Sequence, residues 1–202
     1  HPLAVMTTRV KVVIALTFVW ALRLTHSYFR REEWKFGLQE DWRYTKFAIE
    51  LGRPLWYIAS FFTTGVAQHP MIVGISLPLY SVCFGRNASR DFDMIDGAIA
   101  VLCLTGVLVA YLADTQLRTY MVENARRRKA GEKVLSILNT GIWRYSRHPN
   151  YFGEQLWWWS LSLYCLRVGQ PWAIAGQIFN GYCLVDTVTN MTEEKMLRHW
   201  SP

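Results

Sequence analysis

The sequence predicts an all-α fold of the polytopic membrane class, with about five transmembrane helices in this chain. Of the 202 residues, 51% are hydrophobic and only 18% are charged. Apolar stretches of about 18 to 28 residues alternate with short loops, which hold nearly all of the charge. We therefore expect one membrane domain over residues 1–202. Because the chain opens with His1 and shows no recognisable leader, we interpret it as incomplete or processed at its N-terminus.

Each predicted span is an apolar run that approaches the roughly 30 Å hydrocarbon core of a bilayer in length. The runs are, in chain order, Val10 to Phe29, Pro54 to Phe84, Met94 to Ala113, Tyr151 to Val168 and Trp172 to Thr189. The second run contains Pro70 and Pro78, and each half is too short to cross alone, so we interpret it as one kinked helix. The segment 114–150 is predicted to be a polar loop.

Lysine and arginine are unevenly distributed between the two sides of this topology. With five crossings, the loops 30–53 and 114–150 and the tail after residue 190 share one side and hold sixteen of the twenty-two basic residues. The positive-inside rule places this side on the cytoplasmic or an equivalent face. We therefore expect an integral membrane protein, in the endoplasmic reticulum, a bacterial inner membrane or an organelle inner membrane.

The composition and the cysteine positions also argue against nucleic-acid binding and against a metal site. A formal net charge of +7 would suggest nucleic-acid binding in a soluble domain. Here the basic residues flank apolar runs, so we expect membrane lipids as partners and no nucleic acid. The four cysteines all lie inside apolar runs and away from metal-ligand spacings, so we interpret them as packing residues and expect no metal site.

One segment, residues 141–154 with the sequence GIWRYSRHPNYFGE, combines a helix start with basic side chains. Pro149 suits the first turn of a helix, whose N-terminus then points back at Arg144, Arg147 and His148. Free backbone N–H groups, the positive end of the helix dipole and two guanidinium groups form a site for a phosphate or carboxylate. We interpret this segment as a cofactor-binding motif. Contact of interfacial side chains with lipid headgroups is the alternative.

Charged residues also occur at membrane depth, where an unpartnered charge is costly and indicates a functional site. Glu154 lies one turn into the helix of the motif. Arg23 and His26 are three residues apart and Asp114 and Arg118 four apart, so each pair shares a helix face. We expect these groups to line one polar cavity that takes an anionic cofactor and receives a lipid-like substrate from the bilayer. A set of separate structural ion pairs is the alternative.

Four further segments carry, with this motif, a resemblance to a known family. LWWW follows the motif, LADTQLR covers residues 112–118, and WALRL and DWRY cover residues 20–24 and 41–44. The chain resembles the membrane steroid 5-alpha-reductase family, in particular its broad reductase-like branch, over nearly its whole length. Members are helical membrane enzymes, typically of seven spans, that use NADPH to reduce a carbon–carbon double bond conjugated to a ketone in a steroid or other lipid.

The resemblance implies an NADPH pocket and the residues that line it. By matching position, these are Arg23, Arg43, Tyr44, Asp114, Arg118, Asn150 and Glu154. The implied reaction is hydride delivery to the β carbon of an enone while a proton donor polarises the ketone oxygen.

Two departures from the family leave the catalytic residues unassigned. Trp20 stands where the resemblance implies a catalytic tyrosine, and an indole N–H donates a hydrogen bond without acting as an acid. We also find no counterpart of the early helix that carries the family's acidic residue.

Two alternatives to an active reductase therefore stay open. The first is a catalytically retired accessory subunit of a larger membrane complex, with no cofactor, and the second is a membrane methyltransferase of the isoprenylcysteine or phospholipid type. These methyltransferases share the Arg-His-Pro-x-Tyr-x-Gly core and use S-adenosylmethionine (SAM). Glu154, directly after Gly153, favours the reductase.

Overall fold

A computed structural model describes residues 6–31, 42–85 and 90–200, and the regular secondary structure in these ranges is entirely helical. The predicted all-α class is therefore confirmed. The α-helices are α1 (Thr8–Arg31), α2 (Trp42–Leu51), α3 (Arg53–Ser60), α4 (Gln68–Phe84), α5 (Met94–Lys129), α6 (Pro149–Arg167), α7 (Ala175–Tyr182) and α8 (Asn190–Trp200). In addition, π-helical turns cover Phe61–Ala67 and Cys183–Thr189, and 3-10 turns cover Gly141–Arg144 and Pro171–Ile174.

Three helical segments of the described chain are long and apolar enough to cross a membrane: Thr8–Arg31, Arg53–Phe84 and Met94–Lys129. They coincide with the first three predicted spans, which are confirmed as membrane-type helices. The second segment runs without a break from α3 through a π-helical turn into α4. This wide turn comes just before Pro70, which has no N–H for a regular helical hydrogen bond. The closing pair of predicted spans, and with it the count of five, stays a prediction.

Helix α5 is longer than the sequence analysis predicts. It has 36 residues and continues past Ala113 to Lys129, so the predicted loop 114–150 was wrong in its first half. The reason is local, because residues 114–129 contain neither glycine nor proline and end in four basic side chains that favour the negative end of the helix dipole. The helix stops before Gly131, whose φ of 69° suits glycine.

Two compact units make up the chain. The first unit contains α1, α5 and α6 as far as Leu161. The second unit contains α2, α3, α4, the last turns of α6, α7 and α8.

In the first unit, α1 and α5 run parallel. Arg9 contacts Asp96 near the two N-terminal ends, and Arg30 contacts Thr115 further along both helices. Both helices carry buried small and branched apolar side chains at helical spacing, which are Val10, Val13 and Leu16 on α1 and Ile99, Cys103, Val107, Ala110 and Ala113 on α5. Each helix therefore turns an apolar face to the interior of the unit.

Helix α6 packs closely against α5 in the opposite direction. Gly153 lies against Ala110, and Trp157, one turn later on α6, lies against Gly106, which is one turn earlier on α5. A Cβ atom added to Gly153 would be 2.5 Å from the backbone nitrogen of Ala110, so only glycine permits this approach. The start of α6 therefore lies toward the C-terminal ends of α1 and α5, where most of the basic residues of this unit are.

The second unit has a comparable close contact between α4 and α7. Gly74 and Gly176 face each other closely: a Cβ on Gly176 would overlap the backbone of Gly74, and one on Gly74 would be 3.1 Å from the Cα of Gly176. At its surface, Lys46 of α2 pairs with Glu194 of α8 at 3.4 Å. This unit carries Arg43 and Tyr44, two of the predicted site residues.

Candidate functional site

The first unit contains a cleft of about 1100 Å³ between α1, α5 and α6. Its charged lining residues are Arg23, Arg30, Arg31, Asp114, Arg118 and Glu154. Other polar residues of the lining include Ser27, Tyr28, Asn150 and Tyr151. Small-molecule sites typically measure roughly 300–1,000 Å³, so this cleft has room for a large ligand.

Arg23 is at the centre of the charge network in the cleft. Its Nη2 donates a hydrogen bond to Oε1 of Glu154, and its Nη1 lies 3.7 Å from Oδ2 of Asp114. The Arg23 side chain is 6% exposed, whereas those of Glu154 and Asp114 are 24% and 26% exposed. Burial of a guanidinium is costly unless opposite charges surround it, and here two carboxylates do so. The structure thus brings together three predicted site residues from three helices.

Helical spacing explains why further predicted residues reach the same space. Asn150 and Glu154 are four residues apart on α6, and Asp114 and Arg118 are four apart on α5. Residues at this spacing lie on one helix face, so each pair contributes two side chains to the cleft. Helix α6 begins at Pro149, as the motif predicts, and this start sets the register of Asn150 and Glu154.

Trp20 contacts the same carboxylate from α1. Its Nε1 donates to Oε2 of Glu154 at 3.0 Å. The indole stacks nearly parallel on Trp157, with ring centroids 6.0 Å apart, and meets the edge of Trp158 at 5.0 Å. Both oxygens of Glu154 therefore have donors on α1, and the single side-chain donor of Trp20 is engaged.

Arginines form the other end of the cleft. Arg118 donates a hydrogen bond to the backbone carbonyl of Arg30, and Arg30 donates to Oγ1 of Thr115 at 3.0 Å. The guanidinium of Arg30 also lies over the ring of Tyr111, 5.7 Å from its centroid. These contacts hold two cationic side chains at the C-terminal end of α1.

Arg30 and Arg31 line the cleft but were missed by the sequence analysis, which assigned them only to a basic loop. The usable signal is spacing. Arg30 follows Arg23 by seven residues, which is two helical turns on the same face. An apolar run that continues as a helix to Arg31 carries both arginines into the first unit.

The cleft favours a negatively charged ligand. Among the described residues, four arginines and two carboxylates line it, which gives these lining groups a formal charge of +2. Among the buried polar atoms of the lining that have no hydrogen-bond partner within the described residues are Nε of Arg23 and Oδ1 of Asn150. Buried polar atoms are normally satisfied by protein, water or ligand. One atom is a donor and the other an acceptor, so a ligand that offers both kinds of group fits them.

Comparison with known proteins identifies the family. Residues 3–201 match the family described as protein of unknown function DUF1295. The chain belongs to this family. A curated relative, an uncharacterized protein of Schizosaccharomyces pombe, is 26% identical to the DUF1295 chain over 167 residues, which cover 77% of the chain and 48% of the relative. The chain thus spans about half the length of the relative that it matches. No solved structure matches it.

Three predicted residues of the DUF1295 chain are outside the lining of the cleft. Arg144 and Arg147 are exposed, and His148 stacks on Tyr151 with ring centroids 5.1 Å apart. The turn before them is attached to α5, because the indole Nε1 of Trp143 donates to the carbonyl of Ala113 at 3.1 Å. The motif therefore reaches the cleft through its helical part and not through its arginines.

Two further predicted residues, Arg43 and Tyr44, are part of α2 in the second unit of the DUF1295 chain. The ring of Tyr44 lies 6.0 Å from that of Trp56. The structure therefore assigns both residues to a different unit from the cleft, and their part in cofactor binding stays a prediction.

Proposed function

We propose that this DUF1295 protein is an NADPH-dependent membrane reductase that acts on a carbon–carbon double bond conjugated to a ketone, in a steroid- or lipid-like molecule. The observation that carries the proposal is the position of Arg23 between Glu154 and Asp114, inside a cleft of net positive charge. The resemblance of the motifs to steroid 5-alpha-reductases supports the same assignment.

The two ends of the cleft differ in a way that suits a nicotinamide dinucleotide. Acidic groups gather around Arg23, and Arg30 lies seven residues further along α1, which is about 10 Å at 1.5 Å per residue. A dinucleotide presents a neutral carboxamide at one end and phosphates further along. Glu154 and Asn150 would accept hydrogen bonds from the carboxamide, and the arginines would bind the phosphates.

The bound cofactor supplies the hydride, and the chain supplies the binding groups and a proton donor. Trp20 does not suit the donor role, because its N–H is engaged by Glu154 and is not acidic. The tyrosines that line the cleft, Tyr28 and Tyr151, carry hydroxyl groups of the right chemistry to polarise a ketone oxygen. We propose that one of them takes this role.

A lipid-like substrate is supported by the apolar part of the same lining. Leu24, Met121 and Val122 line the cleft and are 42%, 59% and 55% exposed. Exposed apolar patches mark membrane-interaction sites or ligand-binding grooves, and we propose that these side chains admit a lipid-like molecule from the bilayer. The site therefore combines a polar cofactor region with an apolar approach.

Helix directions within the first unit support the finer topology of five spans. Because α1 and α5 run parallel, the chain between them must return across the membrane an odd number of times, and the continuous helical segment Arg53–Phe84 provides one crossing. Helix α6 runs back in the opposite direction. A final span after α6 would complete the predicted hairpin and bring the tail to the basic side.

The direct test is a titration of the purified full chain in detergent or nanodiscs with NADPH. We expect saturable binding, and we expect Glu154→Gln and Asn150→Ala each to raise the Kd at least about tenfold, which is 1.4 kcal/mol. Glu132→Gln is the matched control, because Glu132 is an exposed carboxylate that pairs with Arg126 outside the cleft. A folded wild-type chain with no affinity for NADPH contradicts the proposal.

The same titration separates the alternatives. A methyltransferase binds SAM in place of NADPH, and Glu154→Gln would then affect SAM binding. An accessory subunit binds neither ligand and is expected to co-purify with other membrane subunits.

A further inference from the structure

Trp20 contacts the cleft only indirectly. Its N–H donates to Oε2 of Glu154 at 3.0 Å, although Trp20 is not among the residues that line the cleft. We propose that Trp20 is a positioning residue, which together with Arg23 fixes the Glu154 carboxylate so that its remaining lone pairs face the ligand. This inference rests on the proposed function, because NADPH is the ligand used to test it.

Two donors at fixed points determine the orientation of a carboxylate. Arg23 binds Oε1 and Trp20 binds Oε2, so rotation of the carboxylate would break both hydrogen bonds. Trp20 and Arg23 are three residues apart on α1, so both side chains leave the same face of one helix. A carboxylate oxygen accepts more than one hydrogen bond, so Glu154 keeps acceptor capacity for a ligand.

The indole of Trp20 is itself held in place by aromatic contacts. It stacks on Trp157 at an interplanar angle of 4°, and Trp157 is only 1% exposed. Trp158 meets the indole of Trp20 edge-on, with an interplanar angle of 68°. Both tryptophans follow Glu154 on α6 by one turn, so the stack joins the two helices that share the hydrogen bond. A rigid ring at this point gives its N–H one direction, toward Glu154.

In this arrangement the role proposed for Trp20 is to position Glu154. Trp20 is not itself a lining residue, and it meets the lining through its hydrogen bond to Glu154, so we expect its effect on binding to pass through Glu154. If Trp20 acts in this way, removing it should matter only while Glu154 carries its carboxylate.

The test is a double-mutant cycle between Trp20 and Glu154 in the full chain. Trp20→Phe keeps an aromatic ring and removes the N–H, and we expect it to raise the Kd for NADPH about fivefold to tenfold. We expect the Trp20→Phe, Glu154→Gln double variant to bind no more weakly than Glu154→Gln alone, because coupled residues are not additive. Trp20→His, which retains an N–H donor, should bind more tightly than Trp20→Phe.

Trp159→Phe is the matched control. Trp159 also donates its indole N–H, at 3.1 Å, but to the side chain of Gln155, at an exposed position outside the lining of the cleft. We expect its Kd to stay within about twofold of wild type. The inference is overturned if Trp20→Phe binds like wild type, if its effect adds to that of Glu154→Gln, or if Trp20→His loses as much affinity as Trp20→Phe.

A second readout keeps the test independent of the cofactor. The Tm of the ligand-free chain is measured for the same four proteins: wild type, the two single variants and the double variant. A direct hydrogen bond between Trp20 and Glu154 predicts that the two substitutions have non-additive effects on the Tm. If wild type binds no NADPH, the proposed function fails, and the cycle on the Tm then decides the inference. If the effects of the two substitutions on the Tm are additive, Trp20 does not position the Glu154 carboxylate, and the inference is overturned whichever ligand the cleft binds.

Discussion

Arg9 and Asp96, which are 87 residues apart in the sequence, form an ion pair in which both side chains are completely buried. Nη2 of Arg9 lies 2.7 Å from Oδ2 of Asp96, and Nε lies 3.2 Å from Oδ1, so the contact has two hydrogen bonds. Asp96 also accepts the backbone N–H of Asp93, the N-cap residue of α5. One carboxylate therefore joins the start of α1 to the start of α5.

Removal of one partner of this pair should strongly destabilise the fold. We expect Asp96→Ala to lower the free energy of unfolding by about 3–5 kcal/mol, because it leaves the buried Arg9 charge without a partner. Replacement of both, as Arg9→Met with Asp96→Leu, should recover most of the loss. The measurement is thermal or denaturant unfolding in detergent, with Glu194→Gln as control. That substitution removes the exposed pair with Lys46 at 3.4 Å, so about 1 kcal/mol or less is expected.

The contact between α5 and α6 should tolerate no added methyl group. We expect Gly153→Ala to cost about 1–3 kcal/mol, since its Cβ would be 2.5 Å from the backbone nitrogen of Ala110 and one helix must move. Because α6 carries Glu154, NADPH affinity should fall as well. Gly97→Ala is the control, because its Cβ would meet nothing closer than 4.0 Å. Equal Tm values for the two variants would contradict the packing described for α6.

Arginines inside and outside the cleft should differ in their effect on cofactor binding. We expect Arg118→Gln to weaken NADPH binding about tenfold and to reduce its dependence on salt, because under the proposed function one charge that binds the phosphates is lost. Arg128→Gln removes the same charge ten residues later on the same helix, from an exposed position outside the lining. Binding titrations at two salt concentrations compare them. If both variants lose the same affinity for NADPH, the loss reflects the total positive charge of the chain and not a specific role of the cleft.

The parts of the fold that were predictable are those that local pattern determines. The apolar runs that became α1 and α5 are long and nearly free of charge, and the start of α6 at Pro149 follows from proline's place in a first helical turn. The continuation of α5 to Lys129 was not predicted, because a polar helix on a surface and a polar loop have similar composition. Only the lack of glycine and proline before Gly131 distinguished them.

The candidate site was predictable to the extent that charge is costly in a membrane. Arg23, Asp114 and Glu154 stood out because each lies in or beside an apolar run, and the structure brings them into one network. Arg144 and Arg147 were predicted as site residues too, yet both are exposed and outside the lining of the cleft. Arg30 and Arg31 belong to the lining because α1 extends to Arg31.

The sequence by itself determined that this is an all-helical, membrane-type protein whose few charged residues at apolar depth need partners, because hydrophobicity and charge act residue by residue. The tertiary structure decided which partners they have. Trp20 and Glu154 are 134 residues apart, and their hydrogen bond exists only because Gly106 and Gly153 let two helices approach closely enough to share a cleft with a third. Such contacts depend on helix direction and register, which no local pattern contains.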